Sequence, residues 1–254
     1  TLESFALEIK PKKRGFSYIW KDAKLYFRII RPIEDKPVLM SQSAGYGNPF
    51  QGPIKEIIFK KGKYRQGHKL RTPEIYGTHF MVYGLTQQDL NGNGHAETIL
   101  LDNNYHLRVY SHRGKLIVKS NDYYGHDPRM IDVGVEEDVS GAREGDPVRF
   151  KGRLEFAKIG NDRFLFLPKN KTVGNGLLNK LVVVENSGLA FLKLTGEGFE
   201  KAFESSQQKG FMAASRVIPN KNGKGARVYM LRTEQDMLRS GARSSFSTYD
   251  WPAN

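Results

Sequence analysis

The sequence predicts an all-β fold, and three observations favour it. Aromatic residues make up 11% of the chain, while hydrophobic residues together make up only 39%, a mixture that suits half-buried strands better than helices. Short alternating runs, bounded by turns rich in Gly, Asn, Asp or Lys, recur along the chain. Only residues 198–208 and 233–240 have a helical pattern, and the first of these is better interpreted as a strand.

The clearest group of strands lies between Tyr76 and Ser120. Four alternating runs are joined there by short polar connections, which predicts one antiparallel sheet. The predicted strands are residues 78–85, 98–101, 107–110 and 115–119. A polar loop starting at Asp89 follows the first strand, and residues 111–114 form the turn of the last hairpin.

Two further groups repeat this four-strand pattern, and the ends of the chain carry incomplete groups. The upstream group comprises residues 25–31, 37–42, 53–59 and 63–70. The downstream group comprises residues 153–159, 163–167, 181–194, with a turn near residues 186–188, and 199–205. The incomplete groups are a hairpin of residues 4–10 and 16–20, and three strands at residues 211–217, 227–231 and 244–250.

A four-stranded sheet of this size cannot bury both of its faces alone, whereas radial stacking of such sheets covers them and leaves short edges. We therefore expect a β-propeller of four-stranded antiparallel blades, with residues 1–254 forming one such domain or the C-terminal part of one. Three complete blades are expected at about residues 22–75, 76–125 and 146–206, with partial units at 1–21 and 207–254. A β-sandwich built from the same strands is the alternative.

One loop has a pattern typical of calcium binding. Oxygen-bearing side chains stand at its positions 1, 3 and 5, a glycine at position 6 and a carboxylate at position 9, and position 7 would offer a backbone carbonyl. These residues are Asp89, Asn91, Asn93, Gly94, Glu97 and, by its carbonyl, His95. Ca²⁺ prefers six to eight oxygen ligands, and alternate residues of a tight loop can point theirs inward.

The loop does not match an EF-hand, because position 12 is Leu100 rather than a bidentate Glu and the flanks are predicted strands. With only two carboxylates, its calcium affinity should be weak, near the millimolar values of extracellular modules. Calcium in the periplasm or outside the cell would fill such a site, whereas cytosolic calcium would not. An Asn-Gly-Asn-Gly turn that needs no metal is the alternative.

The stretch from Asp89 to Leu101, with 107–110 and 114–116, resembles an FG-GAP/VCBS repeat. More narrowly, the chain is similar to the C-terminal propeller of bacterial secreted proteins and lipoproteins that carry such repeats. The resemblance implies a calcium site at Asp89, Asn91, Asn93, His95 and Glu97, in a protein that is periplasmic, outer-membrane-associated or extracellular. Such propellers usually have more blades. The resemblance therefore implies that earlier blades are missing, that they lie on another chain, or that the N-terminal hairpin closes the ring against the three C-terminal strands.

Two departures from the family pattern concern the metal. Position 9 is Glu97 rather than the shorter Asp common in such loops. The equivalent loops downstream, at residues 160–162 and 220–223, have lost most of their oxygen ligands, and Lys221 and Lys224 add positive charge there. We therefore expect at most one calcium site.

The chain carries a formal net charge of +13 and should be attracted to polyanions. Basic residues collect at predicted turns that antiparallel alternation places on one face. These residues are Lys12, Lys13, Arg14, Lys60, Lys61, Lys63, Arg113, Lys115, Lys221 and Lys224. An anionic polymer, a lipid headgroup or an acidic protein is the expected ligand of this face. Solvated lysines that protect hairpin edges are the alternative.

Enzyme motifs are not found in the sequence. It contains no Cys, no Gly-x-Ser-x-Gly elbow, no His-Glu-x-x-His helix and no phosphate-binding glycine loop. No apolar run is long enough to span a bilayer, and Thr1 suggests a mature or processed start.

We expect a non-enzymatic protein-interaction or assembly module at the bacterial cell envelope, which binds a protein partner or another copy. The alternatives are an accessory domain of a polysaccharide-active enzyme and a binder of lipopolysaccharide or nucleic acid.

Overall fold

A computed structural model describes most of the chain as β-structure. The described residues are 6–10, 15–21, 24–33, 36–43, 50, 52–70, 81–102, 104–131, 148–173, 183–195, 198–235 and 242–251. These residues form twenty strands and no α-helix, so the predicted all-β class is confirmed. Within the described ranges, no helix is long and apolar enough to cross a membrane.

The strands form five sheets and one short extra pair, each antiparallel and following the order of the chain. The first sheet contains β1 (Ala6–Lys10) and β2 (Gly15–Trp20). The second contains β3 (Leu25–Ile33), β4 (Lys36–Ser43), β5 (Ile54–Lys60) and β6 (Lys63–Lys69). The third contains β7 (Leu85–Gln88), β8 (Glu97–Leu101), β9 (His106–Tyr110) and β10 (Leu116–Tyr123).

The extra pair is β11 (Met130–Ile131) with β12 (Val148–Arg149). The fourth sheet contains β13 (Glu155–Ile159), β14 (Asp162–Thr172), β15 (Val184–Thr195), β16 (Gly198–Glu204) and β17 (Gln208–Lys209), which pairs with β15. The fifth contains β18 (Phe211–Pro219), β19 (Ala226–Gln235) and β20 (Ala242–Trp251). The predicted groups are therefore present, with a fifth short strand in the fourth sheet.

The prediction of a strand at residues 78–85 is wrong in its described part. Residues 78–80 lie outside the described residues, residues 81–84 form a turn, and the strand begins at Leu85. Side chains of the second sheet bind the turn backbone at Val82. Val82 N donates to Gln42 Oε1 at 2.9 Å, and Arg28 Nη1 donates to Val82 O at 3.2 Å.

The predicted turn near residues 186–188 is also wrong, because β15 runs through it without a break. Asn186 pairs with Lys171 on β14 and with Lys209 on β17. The glycine at 188 serves a close approach rather than a turn: a Cβ there would lie 3.1 Å from the backbone oxygen of Ser205.

Each hydrophobic cluster of the core lies between two sheets that follow one another in the chain. Trp20 of the first sheet packs on Leu25 and Ile57 of the second. The second and third sheets share a cluster that includes Ile54 and Leu100. The sheets are thus packed in series.

The alternation of side chains along β14 shows how one sheet serves two neighbours. Leu165 and Leu167 pack toward the third sheet, and Phe164 and Phe166 pack toward the fifth. All four are buried, because successive residues of a strand point to opposite faces. The fourth sheet is therefore covered on both faces, unlike a sheet of a two-layer sandwich, whose outer face is solvated.

In two pairs of neighbouring sheets, the second with the third and the fourth with the fifth, the first strands lie beside one another. Strand β3 contacts β7, and β13 contacts β18. The first sheet instead lies against the outer strand β6, through β2. Among the described strands, β1 and β2 pair only with each other, so the expected closure between the N-terminal hairpin and the last three strands is not found there.

Candidate functional site

The Asp89 loop joins β7 to β8 and turns sharply at two glycines. Gly92 and Gly94 have φ of 75° and 82°, a left-handed conformation that residues with a Cβ rarely adopt. Gly94, at position 6 of the loop, therefore makes the sharp turn that the sequence predicts there.

The carboxylate of Asp89 is the centre of the loop. Its Oδ1 accepts hydrogen bonds from the backbone N–H of Gly92 at 2.8 Å and of Asn93 at 3.2 Å. Its Oδ2 accepts from the N–H of Gly94 at 2.8 Å. With the residue only 9% exposed, Asp89 draws the loop backbone around itself.

The other predicted ligands complete the loop. Asn91 Oδ1 accepts from the N–H of Asn93 at 3.1 Å, and Asn93 Oδ1 accepts from the N–H of His95 at 2.8 Å. Glu97 is buried, and its Oε2 accepts from the N–H of Leu90 at 2.9 Å. The structure thus brings the predicted residues together in one loop, closed by a carboxylate at each end.

These oxygens retain acceptor capacity for a cation. A carboxylate has about four lone-pair sites, and the Asp89 carboxylate accepts three hydrogen bonds. An amide oxygen has two lone-pair sites, and those of Asn91 and Asn93 each accept one hydrogen bond. All the free acceptors are hard oxygens, which fits Ca²⁺. No cluster of three or more His, Cys, Asp or Glu side chains suited to a metal occurs among the described residues.

The loop is tied to its surroundings on two sides. Arg163, at the start of β14, donates from Nη1 to the Asp89 carbonyl oxygen at 2.7 Å. The imidazole of His95 stacks on that of His112, with ring centroids 4.5 Å apart. Because His112 lies in the β9–β10 turn, the first and last turns of the third sheet meet at one end of it. Sequence reasoning placed both histidines in turns but did not predict this contact.

The predicted basic residues lie where turns were expected, so far as they are described. Lys60, Lys61 and Lys63 are exposed around the β5–β6 turn. The other predicted residues that are described are also exposed: Arg113 and Lys115 at the β9–β10 turn, and Lys221 and Lys224 at the β18–β19 turn. Lys12, Lys13 and Arg14 lie outside the described residues.

Sequence reasoning missed a cavity of about 320 Å³ that is lined by the first strands of four sheets. Five cationic side chains and one carboxylate reach it: Arg28, Arg153, Lys158, Arg163, Arg216 and Glu155. The available signal was Arg28, a charged residue inside the apolar strand β3. Its partners lie 54 to 126 residues away, so the local sequence does not indicate them.

Comparison with known proteins assigns no family. No protein-family model matches the chain, and a search of curated proteins finds no match.

Proposed function

We propose that the chain is a β-propeller binding module of FG-GAP/VCBS type, in which a single calcium ion at the Asp89 loop supports an interaction surface. The observation that carries the proposal is the serial packing of the sheets, with the third and fourth covered on both faces. Side-by-side first strands agree with blades arranged around an axis. The module is non-enzymatic and acts in protein interaction or assembly at the bacterial cell envelope or exterior.

Calcium would act by fixing the loop end of the third sheet. Ligation by Asp89 would hold the backbone carbonyl that accepts from Arg163 at 2.7 Å, and so would fix the loop against the fourth sheet. Loops held by a rigid scaffold are where binding surfaces usually form. The partner is a protein or another copy of this chain, and calcium outside the cytoplasm suffices for a weak site.

Thermal unfolding with calcium tests the proposal. At 10 mM Ca²⁺, a site with a Kd near 1 mM should stabilise the protein by about 1.4 kcal/mol, which raises Tm by roughly 3 to 6 °C. Asp89→Asn should abolish most of this shift. Asp162→Asn is the matched control, because Asp162 lies at a neighbouring turn and pairs with Lys193 at 2.9 Å.

Three results would contradict a calcium role: an unchanged Tm at 10 mM calcium, an equal rise with magnesium, or an equal rise in Asp89→Asn. Each outcome would leave the loop as a metal-free turn, held by the hydrogen bonds of Asp89 and Glu97.

A second candidate function is polyanion binding through the basic turns. It is favoured by the exposure of Lys60, Lys61 and Lys63 around a single turn, with no carboxylate in that turn. Lipopolysaccharide and other anionic polymers at a cell envelope present the charge that such a surface attracts.

A further inference from the structure

The cavity among the first strands is a convergence point of four sheets. Its walls come from β3, β7, β13 and β18, with Arg163 from the start of β14. Its volume of about 320 Å³ lies at the small end of the range for ligand sites. It therefore has room for a small ligand and not for a folded partner.

Arg28 is held rigidly in the wall of this cavity. Its guanidinium donates to Val82 O at 3.2 Å, to Leu154 O at 3.1 Å and to Tyr83 O. These carbonyls belong to the segments that lead into β7 and β13. A side chain fixed by three backbone carbonyls from two other sheets has little conformational freedom left to lose when it binds a ligand.

The charge of Arg28 is not balanced by an ion pair within the described part of the chain. Burial lowers the pKa of the guanidinium to about 10, and repulsion from Arg153 acts in the same direction, while Glu155 and Tyr83 oppose it. Two like charges therefore converge on one cavity, an arrangement that an anion between them would relieve.

The neighbouring groups strengthen this positive field. Arg153 is exposed and makes no hydrogen bond or ion pair with any described residue. Glu155, the single carboxylate among the described lining residues, is engaged by Arg216 at 2.5 Å. A cleft with an excess of one sign of charge attracts ligands of the opposite sign.

We propose that this cavity binds a small ligand with two or more oxyanion groups, held between Arg28 and Arg153. Guanidinium groups match phosphate and carboxylate oxygens through paired N–H donors. The buried side chains of Thr86 and Gln88 add neutral polar groups to the wall. The site goes beyond the proposed calcium-supported interaction and does not depend on it.

The test is calorimetric titration with pyrophosphate, and with citrate to separate phosphate from carboxylate ligands. Arg153→Gln should weaken pyrophosphate binding at least tenfold, because it removes one of the two guanidinium groups that hold the ligand. The side chain of Arg153 is exposed, so the variant should still fold. Arg65→Gln, on the exposed outer strand β6, makes the same charge change and should leave the affinity unaltered. Pyrophosphate and citrate chelate calcium, so the titrations use calcium-free buffer and are repeated in Asp89→Asn.

The outcomes separate the two sites. Binding that Arg153→Gln weakens and Asp89→Asn preserves supports the cavity, whatever the calcium experiment shows. Tighter binding of pyrophosphate than of citrate assigns a phosphate ligand, and the reverse assigns a carboxylate. Equal affinity in the wild type and Arg153→Gln, equal losses in Arg153→Gln and Arg65→Gln, or no binding to the wild type would overturn the proposal.

Discussion

At the scale of single residues, buried carboxylates organise the turns of the third sheet. Asp102 Oδ1 accepts from the N–H groups of Asn104 at 2.8 Å and His106 at 3.0 Å, and Oδ2 accepts from Arg108 Nε at 2.6 Å. Burial acts to raise the pKa of Asp102, but the bonds from Arg108, His106 and Asn104 outweigh it, so the pKa lies below its ordinary value. The ionised form is therefore part of the folded structure.

Asp102→Asn should destabilise the protein by about 1 to 3 kcal/mol at pH 7, because the variant leaves Arg108 without its carboxylate. Since the folded pKa is lowered, the stabilisation is present above the unfolded pKa near 3.9 and disappears as pH falls through the folded pKa. Urea unfolding at pH 7 and pH 3 should show a difference from the wild type that shrinks at pH 3.

Asp250→Asn is the control for this prediction. Asp250 pairs with Arg227 at 2.9 Å on the surface, where such pairs contribute little. Equal destabilisation by both substitutions, or an Asp102→Asn effect that is unchanged at pH 3, would contradict the role given to Asp102.

At the scale of elements, one glycine joins two sheets. Gly125 donates to Pro168 O at 2.7 Å and accepts from Asn170 N at 3.3 Å, so the segment after β10 pairs with β14 of the fourth sheet. Its φ is 85°, and a Cβ there would lie 2.6 Å from Lys151 O and 2.9 Å from Leu101 Cδ1. The junction leaves no room for a side chain.

Gly125→Ala should destabilise the protein by roughly 2 to 5 kcal/mol, the sum of left-handed strain and overpacking. Gly62→Ala is the matched control, because Gly62 has φ of 73° and no atom within 4 Å of an added Cβ. The control should lose only about 1 to 2 kcal/mol. Urea unfolding of both variants measures the difference, and losses of the same size would show that the contact at Gly125 is unimportant.

Strands joined by short turns could be predicted from the sequence because their pairing is local. The hairpin of β5 and β6 needs only alternation and the turn at Lys61 and Gly62. The prediction failed where distant groups decide the backbone, as in the turn at residues 81–84 that Arg28 and Gln42 hold. The Asp89 loop is likewise local, so its sharp turn at two glycines could be predicted, while its calcium site stays a prediction.

At the scale of the whole molecule, the net charge of +13 predicts retention on immobilised heparin. If the β5–β6 turn carries the binding, replacing Lys60, Lys61 and Lys63 together by Gln should lower the salt concentration of elution markedly. Replacing three other exposed lysines, Lys69, Lys119 and Lys209, makes the same change in net charge away from that turn.

The comparison between these two triple variants decides the basic-face proposal. A larger loss for the turn variant supports a localised site, whereas equal losses would assign retention to total charge alone.

The anion cavity could not have been found at this scale from sequence, because its arginines are spread from position 28 to position 216 and meet only when four sheets come together.

The fifth sheet has three described strands, and β20 stands at its edge. Each of the ten residues of β20 pairs with β19, on one side of the strand only. In an antiparallel ladder, alternate residues turn their N–H and C=O groups to opposite sides, so half of the backbone polar groups of β20 face away from β19. Water or a chain segment other than the described strands must satisfy these groups, so β20 presents an open edge to which a further strand can pair.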